Sequence, residues 1–299
     1  MKKAGKIKIS NGDKLFMGVV YAFLTLILIV ILYPLIYVVS ASFSSASAVA
    51  AGKVYLLPVE PTLLGYEAVF QNAKIVSGFL NSIFYLVAGT ALNVAMTMLA
   101  AYPLSRKEFH GRKIISGIFV FTMYFSGGLV PTYLLVKNLH LLDTRAAVIV
   151  PVAMSVWNVI IARTYLQSTI PDELFEAAEL DGCSVIGFLF RIVLPLSAPI
   201  LAVLTLYYGV GNWNSYFNAM IYLKSQNLYP LQLVLREILM LGKVDMTMIT
   251  DVEALQRMQG LSSLLKYAVI VVASVPMMAI YPFVQKHFVK GIMIGSLKG

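Results

Sequence analysis

The sequence alternates between long uncharged apolar runs and shorter segments that hold most of its charged residues. The hydrocarbon core of a bilayer is about 30 Å thick, so a helix that rises about 1.5 Å per residue needs about 20 residues to cross it. Arg163 is the only charge within the runs. The pattern predicts an all-α polytopic membrane protein with six transmembrane helices in one domain, residues 1–299. The six runs are residues 16–39, 79–102, 114–136, 146–166, 198–217 and 267–283.

The first run follows a lysine-rich start and precedes mostly small residues at 40–51, which is also the layout of a signal peptide. The apolar region of a cleaved signal is about 7 to 15 residues long. The uncharged run here extends from residue 15 to residue 39. We therefore predict a helix that is retained in the protein.

The composition is that of a membrane protein, since 59% of residues are hydrophobic and only 12% are charged. The net charge of +9 would suggest a nucleic-acid partner in a soluble protein. Here, however, Lys and Arg crowd the short segments at one set of run ends. Cytoplasmic loops of membrane proteins carry this excess. We predict that both termini are cytoplasmic, and we expect no nucleic-acid partner.

Neither metal chemistry nor catalysis is indicated. Cys183 is the only cysteine, the three histidines are scattered, and no acidic residue lies well inside a run. The sequence therefore lacks a disulfide, a zinc cluster, an H-E-x-x-H motif and the midplane carboxylate of many ion-coupled transporters. It also lacks a G-x-x-x-x-G-K-[ST] phosphate loop, so active transport would need a separate energy source. We expect no catalytic residue, metal or cofactor in this chain.

A more polar segment, residues 168–197, separates the fourth run from the fifth. Ser168 and Thr169 can cap a helix, and Pro171 suits its first turn. This helix should end near residue 180, where an Asp-Gly pair breaks it. A second helical run should follow and end before Pro195. The segment is predicted to form a cytoplasmic helix-turn-helix.

The same segment carries a recognisable pattern, made of Glu176-Ala177-Ala178, Asp181-Gly182, Phe188, Ile192, Leu194 and Pro195. It resembles the EAA loop of ABC-importer permeases. The resemblance implies the type I importer fold and a coupling helix, from Pro171 to about Ile186, that docks on a separate ATPase subunit. The docking residues that it implies are Glu173, Leu174, Glu176, Ala177, Ala178, Asp181 and Gly182.

The resemblance covers nearly the whole chain and points to the carbohydrate branch, the maltose-type second permeases and oligosaccharide permeases. Asn81-Ser82, Trp213-Asn214 and the tail at 285–291 carry it. It implies a multi-pass protein of the bacterial inner membrane, surrounded by lipid, that imports a carbohydrate by alternating access. The implied partners are a second, non-identical permease, a dimer of ATPase subunits that uses ATP and Mg²⁺, and an extracytoplasmic solute-binding protein. A permease for another solute, or an ion-coupled secondary transporter, remains the alternative.

Amide and aromatic side chains in or near the runs are candidates for the wall of a sugar path. Sugars stack on aromatic rings and form hydrogen bonds with amides. An interfacial aromatic belt or interhelical packing explains such residues without a ligand. Ser126-Gly127-Gly128 leaves a similar choice between a helix break beside a cavity and a packing kink. The path candidates are Asn93, Asn158, Asn212, Trp213, Asn214, Tyr216 and Asn218.

Overall fold

The computed structural model describes residues 10–241, 260 and 263–280, and within these ranges it contains helices and no strand. The all-α prediction is confirmed there. The α-helices are α1 (Asn11–Ser42), α2 (Ala46–Ala50), α3 (Leu64–Gln71), α4 (Ala73–Phe84), α5 (Thr90–Ser105), α6 (Arg112–Tyr124), α7 (Leu129–Asn138), α8 (Arg145–Ile149), α9 (Val156–Thr169), α10 (Asp172–Leu180), α11 (Val185–Phe188), α12 (Leu194–Leu196), α13 (Ala198–Asn214), α14 (Phe217–Tyr222), α15 (Leu231–Leu241) and α16 (Ser263–Ile280). Two π turns lie at Tyr85–Gly89 and Leu189–Val193, and two 3₁₀ turns at Val150–Val152 and Gln226–Leu228.

Within the described ranges, three helical runs are long and apolar enough to cross a membrane unbroken. They are α1, the continuous run Ala73–Ser105 through α4 and α5, and α16. Three more runs meet the same criterion only as bent pairs: α6 with α7, α8 with α9, and α11–α12 with α13. The predicted spans at 16–39 and 79–102 are therefore present. The end of the span predicted at 267–283 lies outside the described residues.

Tertiary contacts divide the chain into two units, Met1–Val69 with Leu241–Val272 and Phe70–Met240 with Ala273–Gly299. In the first unit, α1 is capped at its start and packed against other residues only near its end. The Ser10 hydroxyl accepts a hydrogen bond from the N–H of Gly12 at 3.3 Å, and Ala41 packs in a buried apolar cluster. Between them, residues 11–39 are exposed or partly exposed. This apolar surface is left for lipid or another subunit.

The core of the second unit forms where α5 packs along α9, with α13 against α5. Ala101 on α5 and Ala162 on α9 are fully buried. Small side chains at such positions let two helix backbones approach closely. Around them lies a buried apolar cluster that includes Met98, Tyr102, Val159, Leu166, Phe188, Val193, Ile200 and Leu204.

The third predicted span, 114–136, is broken rather than continuous. The helices α6 and α7 are bent by 114° relative to each other. Gly128 between them has a φ of +84°, a backbone conformation that side chains with a Cβ rarely adopt. The Phe121 and Phe125 rings stack beside the break with centroids 4.4 Å apart, and residues 121–132 are exposed or partly exposed. The Ser-Gly-Gly sequence therefore marks a true helix break.

The fourth predicted span, 146–166, is also broken, and the sequence interpretation missed this bend of 51° between α8 and α9. The Asn93 Nδ2 atom donates a hydrogen bond to the carbonyl oxygen of Val152 at 2.6 Å. The N–H of Ser155 donates to the Tyr208 hydroxyl at 3.0 Å. Backbone groups that leave a helix inside a membrane need such partners, because lipid supplies none. Side chains from α5 and α13 therefore hold the bend.

The fifth predicted span, 198–217, starts where predicted but ends at Asn214. The helical run before it does not end ahead of Pro195. It continues to Leu196 and then turns by 82° into α13. The π turn at Leu189–Val193 widens the helix where the proline ring would otherwise meet the carbonyl four residues earlier.

The start of the second span holds the segment between α14 and α15. The Asn81 Nδ2 atom donates to the carbonyl oxygen of Asn227 at 2.7 Å. The Ser82 hydroxyl accepts from the N–H of Leu231 at 2.8 Å. Arg145 Nη2 donates to Asn81 Oδ1 at 3.1 Å. The Asn-Ser pair that contributed to the resemblance is thus a structural joint between distant parts of the sequence.

Asp143 joins the connection between α7 and α8 to the residues after α14. Its carboxylate accepts hydrogen bonds from the backbone N–H groups of Lys224 at 2.9 Å and Ser225 at 2.8 Å. It also accepts from the Ser225 hydroxyl at 2.6 Å. These bonds, above all the one from the hydroxyl, hold the pKa of the Asp143 carboxyl below its usual value.

Asp143→Ala is expected to lower the thermal midpoint of unfolding, because it removes every one of these acceptors. Asp143→Asn should lower it less, since an amide oxygen still accepts. With a lowered pKa, the carboxylate contributes stability above the usual Asp pKa and loses it as pH falls through the lowered value. The gap between wild type and Asp143→Ala should therefore narrow in acid. Unfolding in detergent at neutral and acid pH measures this, and equal midpoints at neutral pH would contradict it.

Candidate coupling element and translocation path

The polar segment 168–197 forms two helical arms, α10 and α11–α12, joined by a tight turn. Gly182 in the turn has a φ of +74° and donates its N–H to the carbonyl oxygen of Glu179 at 2.9 Å. Glycine ends helices in this way because it lacks a Cβ. The Ser184 hydroxyl then caps α11 by accepting from the N–H of Gly187 at 3.1 Å. The predicted helix-turn-helix is present.

The start of the first arm differs from the prediction. Ser168 and Thr169 lie in the last turn of α9 and do not cap α10. The Ser168 hydroxyl instead donates to a carbonyl oxygen three residues earlier at 2.9 Å. Pro171 occupies the cap position without a side-chain hydrogen bond. Asp172 and Glu173 in the first turn place negative charge at the positive end of the helix dipole.

The first arm has a buried face and an exposed face. Ala178 is only 7% exposed, and Leu174 and Phe175 pack with it on the core of the second unit. Leu174 and Ala178 therefore anchor the arm within its own chain. The other residues predicted to dock are all exposed: Glu173, Glu176, Ala177, Asp181 and Gly182.

The turn between the arms carries an exposed apolar surface. Leu180 is 90% exposed, Ile186 70% and Val185 59%. We call these three residues the apolar tip. Grouped apolar exposure of this kind, next to charged Glu179 and Asp181, is typical of a surface that another protein or a membrane covers.

Among the path candidates, Asn93 and Asn212 lie in one hydrogen-bond network. The Asn212 Nδ2 atom donates to Asn93 Oδ1 at 2.9 Å and to Thr90 Oγ1 at 3.1 Å. Asn93 is 1% exposed and also binds the carbonyl of Val152. A Cβ atom at Gly89 would lie 2.9 Å from the Asn212 amide nitrogen, so the packing around the network is tight. The side-chain amides of Asn93 and Asn212 are therefore hydrogen-bonded to each other and to groups on neighbouring helical segments.

Trp213 and Asn158 are buried as well. Trp213 is 1% exposed, and its Nε1–H donates to the carbonyl oxygen of Ala273 at 2.9 Å. Its ring meets that of Phe79 edge to face, with centroids 5.7 Å apart. Asn158 is 7% exposed on α9 and makes no hydrogen bond to the two paired asparagines. Trp213 thus packs inside the chain and not on its surface.

The three other path candidates are accessible. Asn214 and Tyr216 are exposed, and Asn218 is partly exposed. The Asn214 Nδ2 atom donates only within its own helix, to the carbonyl oxygen of Val210 at 2.9 Å. The Tyr216 ring centre lies 5.8 Å from the guanidinium of Arg236. We refer to Asn93, Asn158 and Trp213 as the buried group, and we include in it Asn212, which is partly exposed but hydrogen-bonded to Asn93. The other three candidates form the accessible group.

A scan of protein-family models found no match to the sequence. The sequence is 41% identical over 297 residues to Protein LplC of Bacillus subtilis (strain 168), covering 99% of this chain and 97% of that protein. It is 40% identical over 292 residues to the polygalacturonan/rhamnogalacturonan transport system permease protein YtcP of the same organism, covering 96% and 99%. The fold matches the crystal structure of a bacterial ABC transporter involved in the import of the acidic polysaccharide alginate. The TM-score is 0.86 with 32% identity, and the match covers 95% of this chain and 100% of that chain.

The chain is an ABC importer permease. It belongs to the carbohydrate branch of that family, as the sequence predicted, and it is a membrane protein. Permeases of this family are transport subunits rather than enzymes. The tail at 285–291 that contributed to the resemblance lies outside the described residues.

In the permease, charges that the sequence interpretation did not single out join the helix-turn-helix to the end of the second span. Lys107 Nζ lies 2.7 Å from the Asp172 carboxylate. This hydrogen bond lowers the pKa of the Asp172 carboxyl and raises the pKa of the Lys107 ammonium. Arg106 beside it is 8% exposed. From the sequence, Arg106 and Lys107 have the appearance of ordinary cytoplasmic cations beside a span. Their contacts with Asp172 form only when the chain folds.

The permease also has a cavity of about 690 Å³ in its second unit, between α5, α13 and the end of α16. Its lining includes Leu86, Met98 and Phe190, and among the described residues that line it only Thr90 and Thr205 are polar. A sugar site needs several convergent hydrogen-bonding groups. The part of the chain that the structure describes does not supply them here.

Proposed function

We propose that this permease is one of two non-identical membrane subunits of an ATP-driven importer that carries an oligosaccharide into a bacterial cell. In this proposal residues 1–299 form one domain with six spans in the inner membrane and both termini in the cytoplasm. An extracytoplasmic solute-binding protein delivers the sugar. Support for the substrate class comes from YtcP and from the alginate transporter, whose names specify polysaccharides.

The apolar tip is the observation that carries the proposal. Leu180, Val185 and Ile186 project from a helix-turn-helix whose opposite face is packed on the permease core. A rigidly mounted apolar surface with exposed acidic neighbours, such as Glu176 and Asp181, has the apolar centre and polar rim of a protein interface. The partner that fits is the ATPase subunit, which is needed because this sequence has no phosphate loop.

The transport mechanism that we propose is alternating access, and the packing of the helix-turn-helix on the core supports it. Closure of an ATPase dimer around ATP and Mg²⁺ would displace the segment 171–186, and the helices packed on it would move with it. The path would open outward on closure and inward after hydrolysis. The permease itself makes and breaks no covalent bond.

The accessible path candidates are assigned to the sugar. In this proposal Asn214, Tyr216 and Asn218 face the path, because they are exposed or partly exposed. Asn212 is partly exposed too, but its amide is already bound to Asn93 and Thr90. The buried group, with Asn93 and Asn212, holds the helices around it. Asn158 and Trp213 belong to the same supporting group.

The proposed import function can be tested by purifying the tagged permease in mild detergent. The permease is then reconstituted in liposomes with the partners that co-purify with it. We expect a second permease and an ATPase subunit, and ATP-dependent uptake when a binding protein and its oligosaccharide are added. Oligogalacturonides and alginate oligomers are the first acidic substrates to try, and neutral arabino-oligosaccharides serve as the comparison. A lone chain that takes up sugar along an ion gradient would overturn the proposal.

A further inference from the structure

Arg106 follows the last residue of α5 and is buried beneath the coupling element, with 8% of its surface exposed. Its guanidinium carbon lies 4.4 Å from the ring centre of Phe175, on the first arm. It lies 5.8 Å from the ring centre of Phe188, on the second arm. The two rings meet edge to face with centroids 5.2 Å apart. One cation at the end of the second span therefore contacts an aromatic ring from each arm.

The charge of Arg106 is only loosely paired. Its Nε lies 3.6 Å from a Glu108 carboxylate oxygen, and its Nη2 lies 3.8 Å from one of Asp172. Both distances exceed a hydrogen bond, and the two nitrogens are buried without a hydrogen-bond partner. Burying a cation under such conditions costs free energy, and an apolar side chain would fill the site at lower cost. Stability alone therefore does not account for an arginine here.

Other contacts join the same elements. The Tyr102 hydroxyl on α5 donates to the carbonyl oxygen of Val185 at 3.3 Å, at the start of the second arm. Lys107 pairs with Asp172 at 2.7 Å, at the start of the first arm. Arg106 lies between these two contacts in sequence and is the member of the set that reaches both arms. A shift of either arm must therefore displace its side chain.

We propose that Arg106 is the positioning residue through which displacement of the helix-turn-helix is passed to the second span. This inference rests on the proposed function, since it assumes that an ATPase subunit moves the apolar tip. The planar guanidinium can stack on one ring while it attracts the other, so both arms stay in register with the end of α5. Without it, the Tyr102 and Lys107 contacts each hold one arm, and movement of the arms is passed to the span less completely.

The test uses the complete complex in proteoliposomes and compares ATP hydrolysed with oligosaccharide taken up. Arg106→Gln is expected to keep the ATPase subunit bound and hydrolysing, while uptake per ATP falls by roughly tenfold. Arg106→Lys should restore part of the ratio, because it keeps the charge but not the stacking plane. Lys113→Gln is the matched control, since Lys113 is an exposed cation at the start of α6 and its variant should behave as wild type.

An unchanged ratio in Arg106→Gln would overturn the inference. So would a loss of uptake that only parallels loss of the ATPase subunit, because Arg106 would then merely support the docking surface. If Arg106→Gln does not assemble, Phe175→Leu decides: it keeps apolar packing but removes the nearer ring, and a normal ratio would refute the inference. A wild-type complex without an ATPase subunit, or without ATP-driven uptake, would instead defeat the proposed function.

Discussion

Leu180→Asp is expected to reach the membrane in normal amounts and to lose the ATPase subunit during purification. Leu180 is 90% exposed in the permease, so the change removes no internal packing. Burial of a leucine side chain at an interface contributes about 1.5–3 kcal/mol, and a buried unpaired carboxylate adds a further penalty. Since about 1.4 kcal/mol corresponds to a factor of ten, the affinity should fall at least about tenfold.

Co-purification and ATPase activity of the washed complex measure this effect. Leu57→Asp provides the matched control, because Leu57 is 77% exposed in the segment between α2 and α3, which the sequence predicts to lie outside the cell. That variant should retain the ATPase subunit. If Leu180→Asp also retains it at wild-type yield, the apolar tip is not the docking surface.

Asn93→Leu is expected to destabilise the permease more than Asn214→Leu does. The first change leaves the Val152 carbonyl without its donor and the Asn212 amide without one acceptor. Each lost partner costs about 1 kcal/mol or more, so we expect a total near 2 kcal/mol. Asn214 donates only within its own exposed helix end, so its replacement should cost little.

We would measure the thermal unfolding of both variants in detergent and the uptake by the reconstituted complex. Together these measurements distinguish an effect on stability from an effect on transport. Asn214→Leu should keep its stability and change uptake or sugar preference. If Asn93→Leu keeps wild-type stability but loses uptake, Asn93 lines the path instead of holding the bend, and the division between the buried and accessible groups is wrong.

The apolar runs predicted the unbroken spans well, because a helix that satisfies its own backbone in lipid requires little beyond length and composition. The bends within the other spans were harder to predict from the sequence. Ser126-Gly127-Gly128 signalled one of them through its glycines. The bend of the fourth span had only Pro151 as a local sign, since its stability depends on Asn93 and on Tyr208, residues from two other helices.

For the site, the EAA-like segment correctly predicted a helix-turn-helix, because its helix, turn and small residues are local in sequence. Its coupling role stays a prediction. The anchoring of that element was not local. Arg106 contacts Asp172 and Phe175 only after folding. The sequence alone does not distinguish a cation that faces water at the end of a span from one that lies beneath a loop. Trp213 raised a similar difficulty, since an aromatic residue near a span end fits a belt, a path and a buried core equally well.

The exposure of α1 bears on how the protein is synthesised. This helix precedes the other predicted spans in the sequence, and among its described residues only Ser40, Ala41 and Ser42 at the far end are buried. It therefore needs no later segment in order to be stable in lipid. A helix of this kind can be held in the bilayer before its tertiary contacts form. The spans that follow it in the sequence then search for their partners in two dimensions and at a smaller loss of conformational entropy.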